Sequence, residues 1–497
     1  MTAKARYQAL QQRRQPFLDR ARQLAELTIP SLLPPEGFNG TQQLPQPYSG
    51  LGARCVVTLA SRLMIAQLPP GMSALKLTIP AEVLHKNGVD KTPDDLDRKF
   101  SMSEMTVMSE VERRMWRKST NTTMQHLIVT GNALERMMPD NSIKVYRLDQ
   151  FVCLRDPSGK PVEIIVEEHL LPAAMPDNLK ALISSKGEAN MTVPLYTHLT
   201  RNGSVWVSYQ EIEDKEVPGT RGEYRGPIPW LPLRWSEVVG EDYGRGKAEE
   251  HAADLMSVEG LQKALIEGGA MASRHIQMVK PNAAGGLNLR RRLASAKNGD
   301  WVVGNPEDVG MLKFENFPQM QFVAQELALL KQDLSAAFLL SSGMRRDAER
   351  VTKYELSKMV EELEGTLGGV YSMLNQEMVL PRFNRLTFQM KAAGQLPPWP
   401  EGMVEPVILT GLEALGREQD VQRVGTALEL LKGLDPQALD YVDWKSLLSK
   451  AFTGLGLPDT VRSEDDVQAI RQQRAQMEVA TAAAPGVARE ALAAQQQ

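Results

Sequence analysis

The segment Gly244-Arg245-Gly246-Lys247 is the nearest approach of this sequence to a nucleotide-binding motif. A phosphate-binding loop of the G-x-x-x-x-G-K-[ST] type cradles phosphates with its backbone N–H groups, and its final hydroxyl binds magnesium. Gly240 lies one residue too far from Gly246 for that pattern, and Ala248 stands where the hydroxyl residue is needed. The segment therefore predicts the start of a helix rather than a nucleotide site.

Carboxylates that converge on one point could hold a metal ion for nuclease chemistry. Three acidic clusters occur: Asp94-Asp95-Asp97, Glu361-Glu362-Glu364 and Glu464-Asp465-Asp466. The first and third precede predicted helices, where negative charge interacts favourably with the helix dipole. The second belongs to the solvated face of a long predicted helix. Their spacing does not favour a metal site.

Cysteine and histidine are scarce. Cys55 and Cys153 are too few for a disulfide framework or a four-thiolate zinc site. The histidines are scattered at His85, His126, His169, His198, His251 and His275. The sequence has no His-Glu-x-x-His, Cys-x-x-Cys or Gly-x-Ser-x-Gly motif. We expect no catalytic residues, no metal site and no cofactor, and hence no enzyme.

Two arginine clusters are candidates for binding. Arg290, Arg291 and Arg292, with Lys297 nearby, form either a solvated loop or a surface for an acidic partner or DNA phosphate. The second cluster is Arg345, Arg346 and Arg350. It either contacts DNA or forms salt bridges with the neighbouring Asp347 and Glu349. Aromatic residues are not interleaved with either cluster, so base stacking is not indicated.

The composition is that of an ordinary globular protein. The chain has 497 residues, with 42% hydrophobic and 24% charged residues, enough for two to four domains. The formal net charge of −4 argues against a general nucleic-acid binder. The basic N-terminal stretch lacks the apolar core of a signal peptide, and no apolar run approaches the roughly 18 residues that span a bilayer. We expect a soluble protein with no membrane partner.

Hydrophobic spacing predicts helices over 51–67, 94–118 and 122–135 in the first part of the chain. A basic helix over 1–27 precedes them, either as a solvated amphipathic helix or in contact with nucleic acid or an acidic neighbour. A strand-rich region over 140–235 follows, in which 193–200 and 205–212 flank the hairpin signal Asn202-Gly203.

Helical spacing returns in two long segments, 246–279 and 319–340. The 280–318 module between them is short, turn-rich and strand-like, so the two helices must lie antiparallel. The apolar faces of such a hairpin need neighbours, which a ring of identical subunits would supply. Thr352 and Glu355 form a capping box that starts another long helix. Internal glycines and Pro381 predict a bend in that helix.

Eight short segments, spread in order over about residues 5–455, carry a family resemblance. They are LTIPSL (27–32), GAR (52–54) with LASRLM (59–64), LIVTGNAL (127–134), YRL (146–148) with RD (155–156), GEDYGRG (240–246), ERVT (349–352), LGGVYS (367–372) and TGLEALGR (410–417). Together they resemble the portal proteins, or head–tail connectors, of short-tailed, podovirus-type bacteriophages of the coliphage group. The C-terminal tail matches least.

The resemblance implies a mainly helical α+β portal fold that assembles as a ring. Its parts would be a wing over 1–245, stem helices over 246–279 and 319–340, and a clip over 280–318 between them. A tunnel loop over 341–351 would lead into a long bent helix over 352–410 that returns to the wing. A helical crown over 411–455 and a C-terminal helix with an Ala/Gln-rich tail over 456–497 would complete the chain.

The resemblance also implies a function at the unique vertex of a virion, after assembly in the host bacterial cytoplasm. A homododecameric ring would pass double-stranded DNA through its channel during packaging and ejection. Expected partners are the terminase large subunit, tail adaptor and nozzle proteins, and scaffolding, capsid and internal core proteins. Arg345, Arg346 and Arg350 would contact DNA, and Arg290, Arg291, Arg292 and Lys297 would serve docking. The alternative is an internal virion or scaffolding-type protein without a DNA channel.

Overall fold

The computed structural model describes most of the N-terminal half of the chain and separate segments beyond it. These are residues 2–70, 73–79, 94–183, 192–272, 276–279, 286–296, 301, 309–312, 317–340, 369–397 and 405–408, with 359, 362–363, 365–367, 467–468, 470–474 and 476. The predicted tunnel loop and crown, 341–351 and 411–455, lie outside them. The division into wing, stem, clip, tunnel loop and crown therefore stays a prediction.

Helices make up the first part of the described chain. They are α1 (Ala3–Leu27), α2 (Leu51–Gln67), α3 (Asp94–Arg113) and α4 (Trp116–Thr130). The predicted helices at 1–27 and 51–67 are confirmed. The predictions over 94–118 and 122–135 were wrong at their ends. A residue in a left-handed conformation ends a helix. Met115 takes this conformation between α3 and α4, and Gly131 takes it after α4, so the helices end at these residues.

The strand-rich region contains two antiparallel sheets. Its strands are β2 (Asn132–Met137), β3 (Ile143–Tyr146), β4 (Phe151–Arg155), β5 (Pro161–Leu170), β6 (Val193–Asn202), β7 (Val205–Ile212), β8 (Lys215–Glu216), β9 (Gly222–Tyr224) and β10 (Trp230–Arg234), with β1 (Leu75–Thr78) earlier in the chain and a short α5 (Asp177–Lys180) between β5 and β6. One sheet has the order β10-β2-β3, and the other runs β4-β5-β6-β7-β8 with β9 also paired to β7. The strands predicted over 140–235 are confirmed, including the Asn202-Gly203 hairpin.

Two helices follow this region and continue into a strand module. The elements are α6 (Lys247–Glu250), α7 (Ala252–Ala272), β11 (Ile276–Val279), α8 (Gly286–Ser295), β12 (Val309–Leu312) and α9 (Phe317–Ala337). The prediction of one helix over 246–279 was wrong in two places: the helix is interrupted at His251, and at its end β11 pairs with β12. The backbone N–H and C=O groups of Ile276–Val279 need hydrogen-bond partners. The β11–β12 ladder supplies them, in place of the bonds that a longer helix would make. Within 280–318, the described residues contain the expected strand structure in β12 and, in addition, helix α8.

The described part of the long returning helix is α10 (Val370–Leu374), a π-helical turn at Asn375–Val379, and α11 (Leu380–Ala392); β13 (Glu405–Ile408) then pairs with β1. The π-helical turn ends two residues before Pro381. Since proline has no N–H to donate, the regular α-helical ladder cannot continue through it. The departure from α geometry found here is this π-helical turn, and the predicted bend stays a prediction.

Most buried apolar side chains form one continuous core. It joins α1, α2 and α4 to the β10-β2-β3 sheet, the base of α7 and the packed face of α11. Trp116, Trp230 and Trp235 are among its largest fully buried members. The region that carries α7 and α9 is therefore attached to the helical and strand-rich body through packed side chains.

Candidate subunit and partner interface

Helices α7 and α9 form an antiparallel hairpin. Contacts run in opposite directions along the two helices: His251 packs on Phe338, Gln262 Oε1 accepts a hydrogen bond of 2.7 Å from Lys331 Nζ, and Gly268 lies against Met320. The faces that meet carry the predicted apolar stripes, including the buried Leu255, Val258, Leu327 and Leu334. The predicted antiparallel arrangement is thus confirmed within the described residues.

The outer faces of this hairpin also carry large apolar side chains. On α7, Met256 is 52% exposed and Met271 is 64% exposed; on α9, Phe322 is 64% exposed and Leu329 is 55% exposed. Helices with apolar residues on both sides are normally buried on both sides. A cluster of large exposed apolar side chains marks an interaction surface. The need of this hairpin for neighbours is predicted from the sequence, but the outer residues are not; their signal in the sequence is the seven-residue step from Phe322 to Leu329.

A tight glycine junction fixes the base of the hairpin. A Cβ atom on Gly246 would lie 2.6 Å from the carbonyl oxygen of Ile128, and one on Gly131 would lie 2.6 Å from Gly246 N. Gly244 exchanges two hydrogen bonds of 2.8 Å with the side chain of Asn132. Gly246 caps α6, so the glycine-rich segment starts a helix as predicted.

The basic residues of α1 meet carboxylates of the same chain. Arg6 pairs with Glu163 at 2.7 Å, Arg13 with Asp242 at 2.9 Å, and Arg20 with Glu249 at 3.1 Å. Arg14 is buried and donates to the backbone oxygens of Asp149 and Phe151. The basic side chains of α1 thus contact acidic residues of the same chain, and contact of this helix with nucleic acid or an acidic partner stays a prediction.

A buried ion pair connects the returning helix to the β10-β2-β3 sheet. Arg382 on α11 and Glu135 on β2 are both almost fully buried and joined by two hydrogen bonds. Thr120 accepts a third bond from Arg382, at 2.9 Å, and Thr123 donates to Glu135. Each charged group is therefore satisfied inside the protein, as a buried ion pair requires.

His126, Cys55 and Cys153 could in principle be catalytic, but all three side chains are buried in the protein. Burial, aided by the charge of Arg147, lowers the pKa of His126 to about 4. Burial also raises the pKa of each thiol, Cys55 and Cys153, to about 11, which disfavours the reactive thiolate. Within the described ranges, no three His, Cys, Asp or Glu side chains are grouped as a metal site would require.

His198 belongs to a polar cluster beneath α1. Its Nε2 lies 2.7 Å from Glu163 Oε1, and its Nδ1 lies 2.9 Å from the Tyr209 hydroxyl. Burial opposes ionisation of Glu163, but hydrogen bonds from His198 and Arg6 outweigh it and lower the pKa of this carboxyl to about 2. The cluster holds a charged carboxylate in place and attaches α1 to the sheet.

The predicted site residues are only partly placed. Arg290, Arg291 and Arg292 lie on α8 with exposed side chains, so the solvated loop was wrong in its secondary structure. None of these three makes an ion pair with another described residue. Lys297, Arg345, Arg346 and Arg350 lie outside the described residues. Of the acidic clusters, the Asp94 cluster starts α3 as expected, and Glu362 pairs with Arg62 at 3.2 Å.

No helix among the described residues is long and apolar enough to cross a membrane.

The fold is a mixed α+β body with a helical hairpin. The outer faces of this hairpin carry exposed apolar side chains, as is typical of a protein that assembles with neighbours. The family model for "Bacteriophage head to tail connecting protein" matches residues 1–462. The chain belongs to this family of structural proteins of the virion.

Relatives over nearly the whole length agree with this assignment. The portal protein of Escherichia phage T7 is 34% identical over 99% of this chain and 94% of its own length. That of Enterobacteria phage T3 is 35% identical over 97% and 92%, and that of Enterobacteria phage SP6 is 28% identical over 97% and 95%. The chain functions as a portal, the connector of phage head and tail; the scaffolding alternative is not favoured.

Among solved structures, a chain from the neck of an empty GTA particle covers 83% of this chain and 94% of its own length. Its sequence identity is 14% and its TM-score is 0.36.

Proposed function

We propose that about twelve copies of this chain close into a ring through the outer faces of the α7–α9 hairpin. The observation that supports this is the exposure of Met256, Met271, Phe322 and Leu329 on a hairpin whose inner face is already packed. In a ring, one outer face of each hairpin meets the other outer face of the next. Such head-to-tail contacts close when the rotation between copies divides a full turn.

The central channel of this ring is proposed to pass double-stranded DNA. The net charge of −4 per chain limits attraction between the ring and the DNA backbone, which suits a passage through which DNA must slide. Arg345, Arg346 and Arg350 would add local rings of positive charge that contact DNA transiently. Arg290, Arg291 and Arg292, with Lys297, would lie at the end of the hairpin, where the packaging motor and later the tail adaptors dock.

The experiment that tests ring closure is negative-stain microscopy of the purified protein, combined with mass determination in solution. We expect wild-type rings with a central hole. The double variant Phe322→Glu/Leu329→Glu should give monomers, because it places carboxylates in the apolar contact while leaving the inner stripe intact. Circular dichroism should show that the variant is folded.

Val239→Glu is the matched control, since Val239 is 94% exposed but lies on the turn before α6 rather than on the hairpin. This variant should still form rings. If the hairpin double variant assembles as well as Val239→Glu does, the outer faces of α7 and α9 do not hold the ring together.

A further inference from the structure

Strand β3 has an unpaired edge within the described structure. It is the outermost strand of the β10-β2-β3 sheet, and no described strand pairs with its outer side. Met138 N donates to Ser142 O at 2.8 Å, which fixes the alternation of the antiparallel ladder that follows. Lys144 and Tyr146 consequently direct their peptide groups at β2. Ile143 and Val145 direct theirs away from it, and the Ile143 carbonyl accepts a bond from Ser119 Oγ at 3.1 Å.

A groove runs along this edge. Its volume is about 520 Å³, and one wall is formed by Ile143 and Val145 of β3. The opposite wall comes from the first turns of α4, where Lys118 and Thr122 face it. The groove therefore offers backbone donors and acceptors on one side and side chains on the other, as sites that accept an added strand do.

The groove carries an excess of positive charge. Arg113, Arg114 and Lys118 line it, against the single carboxylate of Asp140. Arg113 pairs with Glu110, and Arg114 is shared between Glu110 and Asp140. Lys118 is exposed and forms no ion pair with any residue that the structure describes. The unpaired positive charge favours an occupant with carboxylates.

Met115 provides an apolar contact at the same place. It also lines the groove, is 67% exposed and has φ of 52°, a left-handed conformation that is unfavourable for a residue with a side chain. Residues held in such conformations cluster at binding sites, where the surrounding structure maintains the strain. Here the conformation joins α3 to α4 and leaves the methionine side chain exposed beside the edge of β3.

We propose that this groove, between β3 and the first turns of α4, binds an extended acidic segment of a partner protein, which adds to β3 as a further antiparallel or parallel strand. Its peptide groups pair with the N–H of Ile143 and with both peptide groups of Val145, since the Ile143 carbonyl already accepts from Ser119. Its carboxylates meet Arg113 and Lys118, and an apolar side chain packs on Met115. A nucleic acid would match the charge but not the strand edge. The site is separate from the α7–α9 hairpin and does not depend on ring closure.

The test is selection of random displayed peptides about ten residues long on the wild-type protein, followed by fluorescence anisotropy with the enriched peptides. The key variant is Val145→Pro. Proline removes an N–H that points away from β2, where edge strands tolerate it, and replaces a side chain that is partly packed on the core. We expect acidic peptides to be enriched, and Val145→Pro to weaken their binding at least tenfold. Lys118→Glu, a surface change that leaves the fold intact, should do the same.

Lys144→Gln is the matched control. It lies on the same strand, but its side chain pairs with Glu168 rather than lining the groove, so binding should stay within about twofold. Thermal melts would verify that each variant is folded. The proposal is overturned if wild-type protein enriches no acidic peptide, or if binding survives both Val145→Pro and Lys118→Glu. A single-stranded oligonucleotide that displaces the peptides with similar affinity would identify a nucleic-acid surface and overturn it as well.

Discussion

At the scale of single residues, charge in the sequence and charge available to a partner are different quantities. The arginines of α1 make that segment one of the most basic in the chain, yet Arg6, Arg13 and Arg20 are all paired with carboxylates of distant segments. Arg290, Arg291 and Arg292 remain exposed on α8. Of these two arginine groups, the one on α8 has charge left for docking.

The exposed arginines of α8 give a test of docking. Reversing Arg290, Arg291 and Arg292 to glutamate should leave ring formation unchanged and weaken binding of the packaging motor at least tenfold, because three favourable charge contacts per subunit become repulsive. Binding would be measured with the purified motor at two salt concentrations. The control, Lys160→Glu/Arg201→Glu/Arg225→Glu, makes the same change in charge on the strand-rich region. Equal motor binding by both variants would leave the arginines of α8 as solvated residues.

His126 gives a test of pH dependence. Its folded-state pKa of about 4 lies below the ordinary value of 6.5, so the neutral form is favoured in the folded protein. This group therefore contributes stability fully above pH 6.5, and the contribution is lost as the pH falls towards 4. With 1.36 kcal/mol for each pKa unit, the loss is about 3 kcal/mol.

Urea unfolding at pH 7.5 and pH 4 would measure this loss. Between these values, wild type should lose about 3 kcal/mol more stability than His126→Gln, which cannot titrate. His169→Gln provides the control, since the His169 side chain is 59% exposed, and it should follow the wild type. An identical pH dependence for wild type and His126→Gln would show that burial of His126 does not govern acid stability.

At the scale of elements, close backbone approach decides how the hairpin is joined to the body. Gly131, Gly244 and Gly246 bring the end of α4 to the start of α6, leaving no space for a side chain. The motif that resembles a phosphate loop is glycine-rich for this reason. The glycines of this segment allow two stretches of backbone to pack in direct contact.

Two glycine substitutions should have opposite effects on stability. Gly246→Ala places a Cβ atom 2.6 Å from the Ile128 carbonyl oxygen and should destabilise the chain by about 2–4 kcal/mol. Gly260 lies within α7 with no atom near the position of its added Cβ, so Gly260→Ala should stabilise the chain by about 1 kcal/mol. Both are to be measured by urea unfolding in the Phe322→Glu/Leu329→Glu background, so that assembly does not contribute. A stability loss for Gly260→Ala as large as that for Gly246→Ala would contradict the packing account.

At the scale of the whole molecule, assembly multiplies small charges. In the proposed ring, twelve chains of net charge −4 would carry about −48, while one arginine per chain would give a ring of twelve positive charges. A protein that is mildly acidic as a chain can therefore present strong local fields of either sign to DNA. The arrangement suits passage rather than tight binding.

The arginines at 345, 346 and 350 test this view. Their replacement by glutamine should leave rings intact and lower the retention of packaged DNA, because contacts with phosphate are lost in every subunit. The measurement is the DNA content of purified heads after a salt wash, with the conservative lysine replacements as controls. Retention equal to wild type in the glutamine variant would remove these arginines from the DNA pathway.

Much of the secondary structure could be predicted from local pattern alone. Helix α2 was predicted over its observed span, the Asn202-Gly203 hairpin was located, and the two helices of the hairpin were paired correctly. Each of these follows from spacing within a few turns or from the φ requirements of a tight turn. The ends of elements were predicted less well. The sequence of β11 is also compatible with a helix, and its pairing with β12, 30 to 36 residues further along the chain, decides for the strand.

The amino-acid sequence by itself determined the family, the alternation of helices and strands, and the lack of a recognisable catalytic motif. Those properties reside in residue types and short spacings. The tertiary structure decided which charges are internal, which apolar faces remain uncovered and which strand edge is unpaired. These depend on contacts between segments remote in sequence, such as Arg6 with Glu163 and Glu135 with Arg382. The sequence around a charged residue or a strand does not show which distant segment will pair with it. Only the folded chain shows whether that partner is present.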